Sequence, residues 1–115
     1  MNNQEFFTAT VAHLRKQGMK AMENNTCLYR GSDGMQCAVG CHIPAEMYRP
    51  EMEGRCCDVL FSEFGKVAQV FDGVNGNLIG AMQEVHDEYP VGRWEEQFDV
   101  VAHSFGLNCQ AMETT

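Results

Sequence analysis

The chain has no apolar run approaching the roughly eighteen residues that cross a bilayer, so no membrane-spanning helix is expected. It also lacks cationic excess, with 8 Lys and Arg against 16 Asp and Glu and a formal charge of −8. Affinity for bare nucleic acid comes largely from cations placed at phosphates, so that partner class is unfavourable. Gly73, Gly76 and Gly80 are not followed by the Gly-Lys-Ser/Thr ending of a Walker phosphate loop. None of the 6 cysteines forms a CxxC pair, the usual short zinc knuckle. The opening Met-Asn-Asn-Gln-Glu has no basic leader followed by an apolar stretch, so no secretion signal is expected and the cytoplasm is the default compartment.

What is present suits one small domain. A chain of 115 residues buries about two-thirds of its unfolded surface, which supports one core but leaves little for a deep enclosed pocket. We read residues 1–115 as a single domain, with 110–115 frayed. Residues 1–60 carry seven acids and six cations, whereas residues 61–115 carry nine acids and two cations. The charge therefore lies in the second half, where a basic protein surface is the matching partner.

Local signals favour helices. Asn2 and Glu5 have the spacing of a capping box, and Phe7, Val11, Leu14 and Gly18 mark one stripe of the helix that follows. Leu60, Phe64, Val67 and Phe71 predict a helix from about Cys57 to Val70 or Phe71. Asn75 or Asn77 caps the next helix, whose buried side includes Leu78, Ile79, Met82, Val85 and His86. Trp94, Phe98, Val101, Ala102 and Phe105 mark the last, closed by Gly106 and Leu107. Between the first two, Asp33-Gly34 is a hairpin signal joining Cys27–Arg30 to Met35–Val39. A three-residue loop sets Tyr29 opposite Cys37, and a two-residue loop shifts that register. The expected class is α+β: a helix-dominated domain covering one two-stranded antiparallel hairpin.

The hairpin passage also carries a resemblance. Cys27-Leu28-Tyr29-Arg30, Asp33-Gly34, Cys37-Ala38-Val39-Gly40, Ile43-Pro44 and Tyr48-Arg49-Pro50-Glu51-Met52-Glu53-Gly54 form its main part. With Gln83, His86-Asp87 and Trp94 they resemble a family of small, mostly uncharacterised proteins of tailed bacteriophages and some bacterial genomes. The resemblance implies a phage accessory protein acting in the host cytoplasm. It implies no catalytic residue.

The reactive side chains suggest sites on their own chemistry. Zinc takes four sulfur or nitrogen ligands, and two combinations supply them: Cys27, Cys37, Cys41 with His42, or Cys37, Cys41, Cys56 with Cys57. Adjacent ligands such as Cys56 and Cys57 demand awkward geometry, so the thiols are read as buried or incidental, with no metal or cofactor assigned. Thiol catalysis needs a base beside Cys37 or Cys41, from His42, His86 or His103, and sequence gives no such proximity. No catalytic residue is assigned. Tyr29, Arg30, Tyr48 and Arg49 form a candidate interaction set of aromatic and cationic side chains. Glu84, Asp87 and Glu88 on one helix, with Glu95, Glu96 and Asp99 on the next, form a second.

The expected function is therefore a non-enzymatic, protein-binding accessory factor with a host protein as partner. A small metal-dependent hydrolase or thiol enzyme is the catalytic alternative, and a structural virion component the third.

Overall fold

The computed structural model describes residues 1–23 and 26–108. Helix α1 spans Asn3–Gln17 and opens with the expected box: the Asn2 side chain accepts from the Glu5 N–H, and Glu5 accepts from the Asn2 N–H. It ends at Gly18, whose φ of 67° lets its N–H reach the Leu14 carbonyl. Phe6, Phe7, Thr10, Val11 and Leu14 form its buried side. Strands β1 (Met22–Glu23) and β2 (Thr26–Cys27) follow, pairing antiparallel over two residues each.

The expected α+β hairpin is not formed, and the fold is helix-dominated without a sheet layer. Residues Cys27–Arg30 and Met35–Val39 meet at one isolated bridge, Arg30 with Gln36. The reason lies in where the backbone donors go. Glu53 accepts from the N–H groups of Tyr29 (2.9 Å) and Arg30 (3.1 Å). The Gln17 side chain takes the Gln36 N–H, and the Gln83 side chain takes the Val39 N–H. Side chains from distant segments thus satisfy the donors that a ladder would have used, and no second strand is required. The turn itself is real, with Asp33 at φ 59° and Gly34 at φ 76°. Beyond it the chain coils at Gly40–His42 rather than extending.

The helix expected from about Cys57 to Val70 or Phe71 is two helices. Helix α2 (Cys57–Glu63) ends at Phe64, whose φ of −120° and ψ of 79° leave the helical region, and α3 (Gly65–Val70) begins anew. The Phe64 N–H still reaches the Leu60 carbonyl and the Ala68 N–H reaches that of Phe64, so the apolar spacing runs across the break. Helix α4 (Gly76–Glu88) is capped by the Asn75 side chain, which accepts from the Asn77 N–H. Helix α5 (Trp94–Phe105) ends at Gly106, and the Leu107 N–H returns to the Ala102 carbonyl. Among the described residues, no helix is long and apolar enough to cross a membrane. The expected fraying of 110–115 concerns positions outside the described residues.

The helices converge on Phe6, Leu14, Leu60, Leu78, Met82 and Phe98, all fully buried. The segment between α1 and α2 enters this core at Tyr29, Cys37–Val39, Ile43 and Met52. Gly40 sits against the Tyr29 backbone so closely that a Cβ would drive into the Tyr29 carbonyl oxygen. His42 stacks on Phe6 with ring centroids 4.9 Å apart and meets the Phe71 edge. The Thr10 hydroxyl donates to the Phe6 carbonyl, so it accepts from His42 Nε2–H at 2.8 Å. Burial, with a smaller contribution from His13, pushes the His42 imidazole down to about 4.

Three consequences are measurable. Glu53→Gln puts an amide N–H against a backbone N–H, and should cost about 2–4 kcal/mol in urea denaturation. Gly40→Ala should cost roughly 3 kcal/mol through the backbone overlap. His42 is neutral when folded and ionises more readily when unfolded, so its contribution is complete above pH 6.5 and lost as pH falls toward 4. Between pH 7 and 4.5 the wild type should therefore lose on the order of 2 kcal/mol more than His42→Gln, whose amide keeps the Thr10 contact. Equal losses in the two proteins would exclude His42 as the source of the pH dependence.

Candidate functional site

A cleft of about 520 Å³ opens between β2, the Gly54–Asp58 segment and α4. Its space originates in α4. Gly76 and Gly80 occupy successive turns of the wall, and a Cβ at either would meet nothing within 4 Å. Further along the same face come Gln83, Glu84, Asp87 and Glu88, so the glycine gap leads to a carboxylate end. Asp58 lines the cleft on the other side. Arg55 is there too, but its guanidinium is paired with Glu63 at 2.6 Å and donates to the Glu51 carbonyl. Tyr29, buried beneath the cleft, donates its hydroxyl to the Arg55 carbonyl and ties the loop down.

Asp87 is the most connected of these acids. Its Oδ1 accepts from Gln83 Nε2 at 2.9 Å and from His86 Nδ1 at 2.7 Å, and the Cys27 sulfur lies within 4.8 Å of the carboxylate. Burial alone would raise the Asp87 carboxyl, but these donors outweigh it and hold it below the usual range. His86 is fully buried, and its Nε2 accepts the Ala21 N–H at 3.0 Å. A peptide N–H only donates, so Nε2 carries a lone pair and Nδ1 carries the proton given to Asp87. Both ring nitrogens are thus committed to hydrogen bonds, neither of them with a thiol.

The thiols match that conclusion. Burial first, then the Asp87 charge, pushes Cys27 up to about 11 and Cys57 likewise to about 11. Burial pushes Cys41 up to about 12, and its thiol donates to the Ala38 carbonyl. Cys37 is raised by burial in the core, where its sulfur accepts the Gly40 N–H. Neither four-ligand set suggested by the sequence is brought together. Among the described residues, Cys27, His86 and Asp87 form the one group of three candidate ligands, with ligand atoms within 4.8 Å of one another.

The interaction candidates divide. Tyr29 lies in the core with 6% of its surface exposed. Arg30 stacks over Tyr48 at 5.3 Å and donates to the Ile43 carbonyl, while the Tyr48 hydroxyl donates to Glu53. Arg49 is exposed and donates to the Glu46 and Tyr48 carbonyls. This set holds the loop together more than it offers a surface. Glu84, Asp87 and Glu88 share the cleft. Glu95 pairs with Arg15 of α1 at 2.6 Å, Glu96 with Arg93, and Asp99 is exposed. Sequence reasoning missed Asp58 as a cleft residue and Gly76 and Gly80 as its origin. The available signal was two glycines four apart inside a helix, each of low helical propensity.

A smaller depression of about 440 Å³ lies between Glu46–Met52 and the α2–α3 break, with Met47, Met52, Phe64 and Val67 among its walls. Compared with known proteins, the chain matches no family model, no curated protein and no solved structure.

Alkylation tests the relative accessibility of the thiols. In the folded protein at neutral pH, iodoacetamide should modify exposed Cys56 well before Cys27 and Cys57, with Cys37 last. Peptide mapping by mass spectrometry reads the order, and rapid labelling of Cys27 would contradict its placement beside Asp87 in the cleft wall.

Proposed function

We propose that the protein is a non-enzymatic accessory factor, of the phage-like group it resembles, that binds a basic segment of a host protein in the cytoplasm. The cleft is the contact. One observation carries the reading: Asp58, Glu84, Asp87 and Glu88 line a single open cleft whose cation, Arg55, is already paired with Glu63. A lysine or arginine entering there gains several carboxylates, and its methylenes lie along the open gap over Gly76 and Gly80. The commitment of both His86 nitrogens argues against the thiol-enzyme alternative at this cleft.

The test is a host-extract pull-down at physiological salt with wild type and the Glu84→Gln/Glu88→Gln double variant, followed by titration of the recovered partner. Glu84 and Glu88 are exposed, so the variant should fold normally. Binding should weaken at least tenfold in the variant, and the wild-type salt slope should flatten with it. Unchanged affinity and slope in a folded variant would remove the cleft from the contact.

A further inference from the structure

We propose that the depression between Glu46–Met52 and the α2–α3 break binds a free alkyl carboxylate, its chain on the methionines and its head at Arg49 and Lys66. The volume of about 440 Å³ falls in the range of small-molecule sites. Met47, Met52, Phe64 and Val67 are its apolar side chains; Met52 and Val67 belong to the buried core, and Met47 and Phe64 are half-buried. Gly65, where the helix restarts, adds no side chain to this wall, and a Cβ there would meet nothing within 4 Å. Unbranched thioethers adapt to an irregular apolar guest. The four apolar side chains offer no strong hydrogen-bond partner to a buried amide, base or sugar, which would lose its bonds to water without replacement. An alkyl chain has none to lose.

The rim selects the head group. Its polar side chains are Glu46, Arg49 and Lys66, all exposed. Arg15, Arg55 and Arg93 are each paired with a carboxylate, but neither Arg49 nor Lys66 has a carboxylate partner among the described residues. Arg49 Nη1 donates to the Glu46 and Tyr48 carbonyls, which anchors the guanidinium. Its Nε–Nη2 edge has no acceptor among the described residues, and that edge matches the two oxygens of a carboxylate. Two cations and one acid leave the rim with a single net positive charge in a protein of net −8. A monoanion complements that charge better than a phosphate dianion does. An esterified acyl chain, as in a phospholipid, lacks the head altogether, so the ligand class is the free acid anion.

The inference does not rest on the acidic cleft, and its test contains no protein partner. The full chain, with isotope-labelled methionine methyls, is titrated with hexanoate, octanoate and decanoate below their micelle concentrations, by NMR and calorimetry. The Met47 and Met52 methyls, assigned through Met47→Leu and Met52→Leu, should shift. Affinity should rise about fourfold for each added methylene. Octanol and methyl octanoate, which lack the charged head, should bind at least fivefold more weakly than octanoate, and octyltrimethylammonium more weakly still. Lys66→Gln, at an exposed position, should weaken octanoate at least threefold and leave octanol unchanged. The Glu84→Gln/Glu88→Gln variant of the cleft should bind octanoate as the wild type does. Methyl octanoate or octanol binding as tightly as octanoate, unchanged octanoate affinity in Lys66→Gln, or no shift at Met47 and Met52 would overturn the site.

Discussion

Glu53 is the contact on which the arrangement of this chain depends. One carboxylate receives the N–H groups of Tyr29 and Arg30 and the hydroxyl of Tyr48. Backbone donors near the core must be satisfied, and a side chain that accepts two of them replaces a neighbouring strand. Bonds to an ionised acceptor are also stronger than those between neutral groups. On the other side of the same segment, Gly40 admits the Tyr29 carbonyl at a distance that no larger residue permits. Tyr29 is therefore fixed by its backbone, with its ring buried and its hydroxyl reaching up to Arg55.

The helices are legible in the sequence because their signals are local. Asn2 with Glu5, Asn75 before α4, and Gly106 with Leu107 each report on a few neighbouring residues, and each behaves as its spacing implies. The fold class is not legible in the same way, because a turn signal does not guarantee the strands that usually flank it. Asp33 and Gly34 do turn with positive φ, yet Gln17, Glu53 and Gln83 take the flanking donors from far along the chain. No period in the sequence announces such partners. The break at Phe64 is hidden for a related reason: Leu60, Phe64, Val67 and Phe71 keep apolar spacing across a backbone that has left the helix.

The site is legible as chemistry and illegible as geometry. Glu84, Asp87 and Glu88 stand out as acids on one helix and line the cleft, whereas Glu95 on the next helix is paired with Arg15 of α1. The cysteines stand out as possible ligands in combinations that the fold separates, since Cys37 enters the core while Cys27 and Cys57 line the cleft. Tyr29 and Arg30 resemble surface anchors because periodicity does not explain them. Their explanation lies in Glu53, 24 and 23 residues away respectively.

The two walls of the cleft differ in how they are attached. Helix α4 forms one wall with its outer face while its inner face, including Leu78, Met82 and Val85, is packed in the core. The Gly54–Asp58 wall is held by the Tyr29 hydroxyl and by Arg55 contacts to Glu51 and Glu63, which are polar and partly exposed. Segments with few buried apolar contacts open at lower free energy than the core beside them. The two walls therefore differ in what opening the cleft would break: on the Gly54–Asp58 side, polar bonds such as that from the Tyr29 hydroxyl to the Arg55 carbonyl, and on the α4 side, the packing of the core itself.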